Sequence, residues 1–370
     1  MKLQVLQEEL SKALNTCSRF ASSRIQLPVL ANILFKAQKN KLLAYATNLE
    51  TSISISLGAK VEEPGEITIP SKLITELISH LGPGQLSLET DKETLIIKSS
   101  GFNSTIPGMN SADFPHVPDE IGLDSIKLPP EKFTEGLSSV LFATSTDEIR
   151  PVLTGVLMIM RENNLVLVAT DGFRLSQKKI KVDKLDEEKK VIIPKNVLSE
   201  LSRLATSGEA INFSYKKSEN QVVFAVQNYV LSSRVIEGEF PDFEKIIPRK
   251  TNIKVNTDRE DLLRAVKLSS VFARDAANVI KVKITKGEIE VSAESHQSGM
   301  EKTKVEAKIE AEGSAELLIA FNYRFLEDFL GVVKANEVQM EFSDPNAPAL
   351  FLDPKDTEFL HIIMPVRLQT

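Results

Sequence analysis

Apolar residues recur along this chain with two alternating spacings, and the order of the spacings repeats. Three stretches show the near-alternation of apolar and polar residues that is typical of antiparallel strands: 33–55, 156–180 and, more loosely, 280–305. Each is followed, after a polar linker, by a further strand and a helix start, at 67–81, 191–204 and 317–330. The pattern predicts three copies of one unit of about 125 residues, which is the size of a whole domain.

Each copy also opens with an amphipathic helix. In the first copy the apolar residues at helical spacing are Leu6, Leu10, Ala13, Leu14, Cys17, Phe20 and Ala21. The second copy has its stripe within 129–144, where Pro130 suits a helix start, and the third within 258–273. Two helices that pack on one side of antiparallel strands make each domain α+β.

Length and composition fit this organisation. A chain of 370 residues with 42% hydrophobic content suits a soluble protein of two or three domains. Polar, proline-containing linkers predict domains at 1–120, 126–249 and 250–370. The single cysteine, Cys17, lies in an apolar stripe and is interpreted as a small buried hydrophobe in a reducing compartment. No secretory signal or membrane span is recognisable, so we expect a cytoplasmic protein.

Charge and motifs argue against several functions. The net charge of −6 argues mildly against a nucleic-acid partner, although it does not locate the charges. The histidines have no metal-ligand spacing: His80, His116, His296 and His361. Phosphate-binding, nucleophile-elbow, zinc-protease and dinucleotide motifs are missing from the sequence. We therefore expect no catalytic residues, no metal and no cofactor.

Two segments remain as candidate sites. Thr170-Asp171-Gly172 is either an exposed catalytic acid or a hairpin turn in which Asp171 caps its own backbone. The repeats favour the turn, because Thr47-Asn48 and Ala293-Glu294 occupy the same place with different chemistry. The cluster that follows, Gly172 to Leu175, is apolar and cationic and favours binding over turnover. The apolar C-terminal segment 361–368 is either a last core strand or one wall of a groove.

The segments 169–176, 240–248 and 364–368 make a resemblance specific, and it extends over the whole chain. The chain resembles the bacterial sliding clamp family, the beta subunit of DNA polymerase III. The resemblance implies a non-enzymatic processivity factor for DNA replication. It implies a head-to-tail homodimer whose six similar domains close a ring around duplex DNA, with helices lining the hole. It also implies a groove for short peptides with apolar and Gln side chains, from the polymerase, the clamp loader and repair proteins.

The resemblance assigns three sets of residues. The groove would be formed by Leu153, Thr170, Gly172, Phe173, Arg174, Leu175, Pro241, Lys245, Ile246, Ile362, Met364, Pro365, Val366, Arg367 and Leu368. The DNA-facing candidates are Lys12, Arg19, Arg24, Lys72, Lys132, Lys195, Arg203, Arg264 and Lys267. The dimer interface would contain Val271 and Phe272, facing Ser104 and Ile106. Phe173 and Lys245 replace the His and Arg common in the family, so the peptide preference is expected to differ.

Two other functions compete with this interpretation. One is an enzyme that uses Asp171 and Arg174 in a cleft. The other is a protein-binding scaffold that never encircles DNA.

Overall fold

The computed structural model describes residues 1–22, 27–122, 124–183, 188–205, 208–295, 297–313 and 316–368. The chain forms two compact units. One consists of Met1–Pro130 with Asn196–Val235, and the other of Glu131–Lys195 with Ile236–Thr370. The second repeat therefore contributes elements to both units.

Each repeat has the same order of elements, namely a strand, a helix, a strand meander, a second helix and three final strands. The first repeat comprises β1 (Lys2–Leu6), α1 (Gln7–Cys17), β2 (Asn32–Gln38), β3 (Lys41–Thr47), β4 (Thr51–Gly58), β5 (Lys60–Glu63), β6 (Gly65–Pro70), α2 (Ser71–His80), β7 (Gln85–Asp91), β8 (Thr94–Ser99) and β9 (Phe102–Pro107). The second comprises β10 (Ile126–Leu128), α3 (Pro130–Val140), β11 (Gly155–Arg161), β12 (Asn164–Thr170), β13 (Arg174–Lys181), β14 (Lys189–Pro194), α4 (Lys195–Leu204), β15 (Ile211–Lys216), β16 (Gln221–Val226) and β17 (Tyr229–Arg234). The third comprises β18 (Ile253–Asp258), α5 (Arg259–Ala273), β19 (Val279–Thr285), β20 (Glu288–Ser295), β21 (Gly299–Ala311), β22 (Leu317–Asn322), α6 (Tyr323–Val332), β23 (Glu337–Phe342), β24 (Ala349–Leu352) and β25 (Phe359–Ile363). The predicted α+β class and the predicted order of elements are confirmed.

The helices form where the periodicity predicts them, except that α1 ends at Cys17, before Phe20 and Ala21 of the predicted stripe. The stripe of α1 buries Leu10, Leu14 and Cys17, whereas Leu6 is exposed because it ends β1 and does not belong to the helix. Helix α5 begins after Asp258, whose carboxylate accepts hydrogen bonds from two backbone amides of the first turn. Pro130 occupies the first position of α3, where a missing N–H costs nothing.

All paired strands are antiparallel and form three sheets. The first unit contains a five-stranded sheet, β5-β1-β7-β8-β9, and an eight-stranded sheet, β10-β15-β16-β17-β4-β3-β2-β6. The second unit contains a twelve-stranded sheet, β14-β11-β12-β13-β25-β24-β23-β18-β21-β20-β19-β22.

Two strand pairs join successive repeats, and they follow one rule. The third strand of a meander pairs with the last strand of the next repeat, as in β4 with β17 and β13 with β25. A buried polar pair marks each junction. The Oγ atoms of Ser52 and Ser232 are 2.6 Å apart, and Ser176 Oγ lies 2.7 Å from His361 Nδ1. Because buried polar groups need partners, these pairs help to fix the register of each junction.

The last strand belongs to the core of the third repeat. Phe329 of α6 lies 5.6 Å from Phe351 and 5.9 Å from Phe359, ring centre to ring centre. Strand β25 is therefore a core strand, and the segment 364–368 continues beyond it outside any strand. No helix in the described ranges has the length and hydropathy that a membrane span requires.

Candidate functional site

An apolar cluster in the second unit brings three of the predicted groove residues together. Leu153, Leu175 and Ile362 are buried in one cluster with Phe240 and Phe243. Leu175 and Ile362 are directly opposite each other across the β13–β25 pair. Residues far apart in sequence thus form a single apolar floor.

The turn between β12 and β13 presents an exposed aromatic ring beside this floor. The Oδ1 atom of Asp171 accepts hydrogen bonds from the amides of Phe173 (2.9 Å) and Arg174 (3.0 Å). Thr170 Oγ1 donates to the carbonyl of Arg174 at 2.6 Å. Gly172 has φ +93°, and a Cβ there would lie 3.0 Å from the Arg150 guanidinium. The turn interpretation of Asp171 is supported by this geometry, because its carboxylate is occupied by its own backbone and by Arg174.

The same turn occurs in the first repeat. Thr47 Oγ1 accepts from the Leu49 amide, and Asn48 Oδ1 accepts from the amides of Glu50 and Thr51. In the third repeat the equivalent strand ends at Ser295, whose Oγ accepts from two following amides. The third-repeat alignment through Ala293-Glu294 was therefore wrong by about two residues. Apolar and polar residues alternate less regularly in the third copy, so the sequence pattern did not locate the end of β20.

The C-terminal segment is anchored next to the β12–β13 turn. The amide of Met364 donates to the carbonyl of Phe173 at 2.8 Å, and the amide of Val366 donates to the carbonyl of Ala320 at 2.8 Å. The side chains of Met364, Pro365 and Leu368 are half-buried, and those of Val366 and Arg367 are exposed. Hydrogen bonds thus hold the backbone of this segment in place while its side chains stay accessible, as expected for the wall of a groove.

A short turn after β17 carries Pro241, Lys245 and Ile246, all of them exposed. Phe240 and Phe243 anchor this segment in the apolar floor. Lys245 forms an ion pair with Asp242 at 2.7 Å, which raises the pKa of this lysine.

Arg174 lies beneath the surface and contacts three segments. Its guanidinium bonds Asp171 (3.0 Å), Asp328 of α6 (2.5 Å) and the carbonyl of Phe142 (2.6 Å). It also lies over the rings of Phe142 and Phe325, at 5.5 and 4.6 Å from their centres. The side chain is only 11% exposed, so little of its surface is available to a ligand. Its hydrogen bonds instead hold the surrounding segments together.

The sequence did not indicate Arg150, Phe142, Phe325 or Asp328. Each lies outside the motifs that carry the resemblance, and none interrupts its local periodicity. Only the tertiary structure brings them to Arg174 and to the β12–β13 turn.

The DNA-facing candidates have differing environments. Arg19 and Arg203 both bond the buried carboxylate of Glu200, at 2.7 and 2.5 Å. Lys12 and Arg264 pair with acidic residues on their own helices, Glu9 and Asp261. Three candidates are exposed without an ion pair in the described ranges: Lys72, Lys132 and Lys267. Arg24 lies outside the described residues.

Lys195 departs from the expectation of a freely exposed cation. It is half-buried at the start of α4, and burial, followed by the charge of Arg174, lowers its pKa. Its environment belongs to the Arg174 network, so we remove it from the DNA-facing set.

The interface candidates divide in the same way. Val271 is 56% exposed, and Phe272 is half-buried against the core of the third repeat. Ser104 is half-buried on β9. Ile106 is only 2% exposed because it points into the core of the first repeat, so its side chain cannot contribute to a surface. This corrects the sequence-based expectation for Ile106.

The cysteine and the histidines, which are the remaining residue types with possible chemical roles, do not form a reactive site within the described residues. Burial raises the pKa of the Cys17 thiol, so this cysteine is protonated and unreactive. Burial and the nearby charge of Arg174 lower the pKa of His361 to about 3. His80 and His116 are exposed, and His296 lies outside the described residues. No group of metal-ligating side chains occurs within the described part of the chain.

Comparisons with known proteins agree on one family. Models of the DNA polymerase III beta subunit match in order, with the N-terminal domain at 1–118, the central domain at 127–242 and the C-terminal domain at 244–367. The beta sliding clamp of Synechocystis sp. is 32% identical over 393 aligned positions that cover 100% of both chains.

Solved structures show the same likeness. The DNA polymerase sliding clamp from Bacillus subtilis superposes with a TM-score of 0.94 at 27% identity, over 100% of both chains. A sliding clamp from Pseudomonas aeruginosa bound to griselimycin superposes with a TM-score of 0.92 at 25% identity, again over 100% of both chains.

Proposed function

Since this chain belongs to the family of the DNA polymerase III beta subunit, the beta sliding clamp, we propose that two copies form a head-to-tail ring around duplex DNA. As a family member the chain is a non-catalytic processivity factor of DNA polymerase. The ring tethers the replicative polymerase, the clamp loader and repair proteins to DNA in the cytoplasm.

The observation that carries the ring is the repeated rule of strand pairing. The third meander strand pairs with the last strand of the next repeat twice, in β4–β17 and in β13–β25. By this rule, β21 (the third meander strand of the third repeat) and β9 (the last strand of the first repeat) each lack one partner strand within a single chain. Within the described residues, the first half of β21 pairs only with β20, and β9 pairs only with β8. Pairing β21 of one copy with β9 of another extends the rule and gives a heterologous contact that closes after two copies.

Val271 lies beside the β21 edge. Ser269 of α5 donates to Glu301 of β21 at 2.5 Å, and Ser298 donates to Asp275 just beyond α5 at 3.2 Å. The exposed Val271, with Phe272, therefore provides the apolar centre of the contact, while β9 supplies Ser104 and its backbone edge.

The repeated order of elements supports three clamp domains, which we assign to 1–120, 126–249 and 250–370. Each begins with a strand and a helix and ends with three strands.

The apolar floor, the β12–β13 turn and the segment 364–368 form the partner-peptide groove in this proposal. Leu153, Leu175 and Ile362 are its floor, and Phe173, Ile246, Met364 and Val366 are its accessible apolar rim. Met364 suits a site for several partners, because an unbranched thioether repacks at low cost. A clamp from Pseudomonas aeruginosa carries bound griselimycin, which makes this compound a useful probe.

Retention on DNA is topological in this proposal. The net charge of −6 and the internal pairing of Arg19 and Arg203 leave few free cations among the candidates. Weak phosphate contacts are compatible with sliding, because an enclosed duplex cannot dissociate sideways.

The dimer is tested with Val271→Asp. Placing a carboxylate at an apolar interface centre should give monomers at micromolar concentration, because truncation of a hot spot alone costs about 2 kcal/mol or more. Leu318→Asp, at an exposed leucine of β22, is the matched control and should remain dimeric.

Sedimentation and particle images provide the measurement. We expect ring-shaped dimers for the unmodified chain and for the control, and folded monomers for Val271→Asp. A monomeric unmodified chain would contradict the ring, and a folded Val271→Asp variant that still dimerises would contradict this interface.

A further inference from the structure

A concavity of about 430 Å³ in the second unit is lined by an unusual concentration of lysine. It lies at the end of β13, next to the start of α3 and the β24–β25 connection. Its six lysines are Lys132, Lys178, Lys179, Lys181, Lys334 and Lys355. Four carboxylates share the lining, so the formal charge is about +2 in a chain whose net charge is −6.

Most of these carboxylates are already engaged. Asp353 is buried and accepts hydrogen bonds from the amides of Lys334 and Lys355, both at 2.9 Å. Asp356 binds the Lys178 ammonium with both oxygens at 2.5 Å. Glu135 pairs with the Lys334 ammonium at 2.7 Å. These contacts hold the lining in place, and two of the four negative charges, those of Asp356 and Glu135, are paired with a lysine ammonium group.

The remaining ammonium groups have no such partners. Lys132, Lys179, Lys181 and Lys355 are exposed and form no ion pair within the described residues. Of the lining carboxylates, those of Asp353 and Glu358 form no ion pair there, and Asp353 accepts hydrogen bonds only from backbone amides. Four positive charges therefore face two negative charges around a single concavity, which leaves a local excess of two positive charges that attracts anions.

The type of cation indicates the type of anion. The lining has no arginine fork for bidentate binding of carboxylates and, among the described residues, no aromatic ring for base stacking. Lysines act as flexible point charges, which suits a series of phosphates on a flexible chain. The volume is that of a small-ligand site and is too small for a folded domain.

The concavity is separate from the peptide groove. Leu175 of the groove floor and Lys181 lie six residues apart on β13, which corresponds to about 20 Å along a strand. Of the unpaired lysines, only Lys132 belongs to the DNA-facing candidates.

We propose that this lysine-lined concavity binds a phosphate-rich polyanion through its phosphates alone, without reading base sequence. The phosphates come either from a single-stranded nucleic acid or from free polyphosphate. Neither the peptide groove nor the enclosure of duplex DNA is required for this binding.

The test measures binding of a labelled oligothymidylate of about twelve nucleotides to the full chain by fluorescence anisotropy over a range of salt concentrations. The variant is Lys179→Glu/Lys181→Glu/Lys355→Glu, which leaves Lys132 in place. The matched control, Lys39→Glu/Lys92→Glu/Lys217→Glu, makes the same change in net charge at exposed positions in or next to hairpin turns. A Gln version of both triple variants replaces the Glu version if the latter does not fold.

We expect the concavity variant to lose affinity tenfold or more and to lower the salt slope by about two, because three single-strand phosphate contacts are removed. The control should bind like the unmodified chain. Equal losses in both variants, or no loss in the concavity variant, would overturn the proposal. Retention on circular duplex DNA should be the same for all three proteins, so this result is separable from the clamp function.

Competition distinguishes the ligand source. Tripolyphosphate that displaces the oligonucleotide at equal phosphate concentration identifies free polyphosphate, and an oligonucleotide that resists it identifies a nucleic acid. Displacement by polyglutamate of equal charge as effectively as by tripolyphosphate would contradict phosphate recognition.

Discussion

Phe173 and Leu175 are two residues apart on the chain, but their environments are opposite. Phe173 is 61% exposed on the β12–β13 turn, and Leu175 is 2% exposed in the apolar floor. Replacing Leu175 by Ala would remove core contacts and cost about 2–5 kcal/mol of stability, so it would not isolate an effect on binding. The rim of the groove is the better place to test peptide recognition.

We predict that Phe173→Ser weakens binding of a labelled short peptide of apolar residues and Gln by about tenfold or more. Micromolar binding corresponds to about −8 kcal/mol, and burying one large apolar side chain supplies about 1.5–3 kcal/mol. Isothermal calorimetry measures the affinity.

Leu49→Ser is the control for this prediction. Leu49 is an exposed apolar residue on the equivalent turn of the first repeat, where the structure has no groove residues. Its substitution should leave affinity unchanged. Unaltered affinity in a folded Phe173→Ser variant would remove Phe173 from the groove.

His361 makes stability depend on pH through its burial. Its folded-state pKa of about 3 is below the unfolded value of about 6.5, so between these values the unfolded chain binds more protons. The free energy of unfolding is therefore unaffected above pH 6.5 and decreases as the pH falls below it.

We predict that this histidine alone costs about 2 kcal/mol of stability between pH 7 and pH 5. His361→Gln keeps a polar partner for Ser176 but does not titrate. Urea unfolding at both pH values should show that the unmodified chain loses about this much more stability than the variant. The same pH dependence in both would contradict the burial of a neutral His361.

The residues of the site could be predicted only where the sequence repeats or matches a motif. The Asp171 turn followed from its equivalence to Asn48, and both turns have the same hydrogen bonds. Arg174 bonds Asp328 and the carbonyl of Phe142, and both residues lie more than thirty positions away from it along the chain. A local sequence pattern cannot predict contacts between segments so far apart. Arg174 and Lys195 were therefore identified as cations, but their environments were not.

At the scale of elements, the two spacings of apolar residues predicted the type and order of the helices and strands but not all of their ends, as α1 and β20 show. Helices and strands formed where periods of 3.6 and 2 predict them, because each element must bury one face. The pairing of β13 with β25 was not predictable from spacing, since both strands alternate and many registers would bury an equal apolar area. The resemblance, not the pattern, connected these segments.

One carboxylate on α4 forms ion pairs with two arginines near α1 and on α4, and the spacing of apolar residues does not predict these pairs. Glu200 of α4 is buried and holds Arg19, just beyond the end of α1, and Arg203. Two of the DNA-facing candidates are thereby partly neutralised by one carboxylate. If Arg19 and Arg203 face DNA, as proposed, this arrangement weakens the direct attraction of the protein to phosphates.

We predict that Glu200→Gln strengthens binding to linear duplex DNA, because the charges of Arg19 and Arg203 become available to phosphates. The salt slope should become steeper by about one to two. Anisotropy with a short duplex over a salt series measures both. Glu62→Gln, which removes an exposed partner of Lys2, is the control and should leave the slope unchanged. An unchanged slope for Glu200→Gln would exclude Arg19 and Arg203 from the DNA-facing surface.

At the scale of the whole molecule, enclosure of the duplex reconciles the acidic net charge with a DNA partner, because a ring that encloses DNA needs little binding affinity to stay on it. A protein held by counterion release would lose DNA as salt rises, since each phosphate contact adds to the salt slope. A closed ring on a circular duplex has no end from which to leave, whatever the salt. Net charge alone argues against DNA, and it is membership of the sliding-clamp family that corrects this inference.

Enclosure of the duplex is tested most directly with labelled protein that a clamp loader has placed on nicked circular DNA. Gel filtration then measures how much protein stays with the DNA. We predict that the protein stays with the circle through a high-salt wash and leaves once a restriction enzyme linearises the DNA. Equal retention on intact and linearised DNA, or loss from the intact circle in high salt, would contradict enclosure of the duplex.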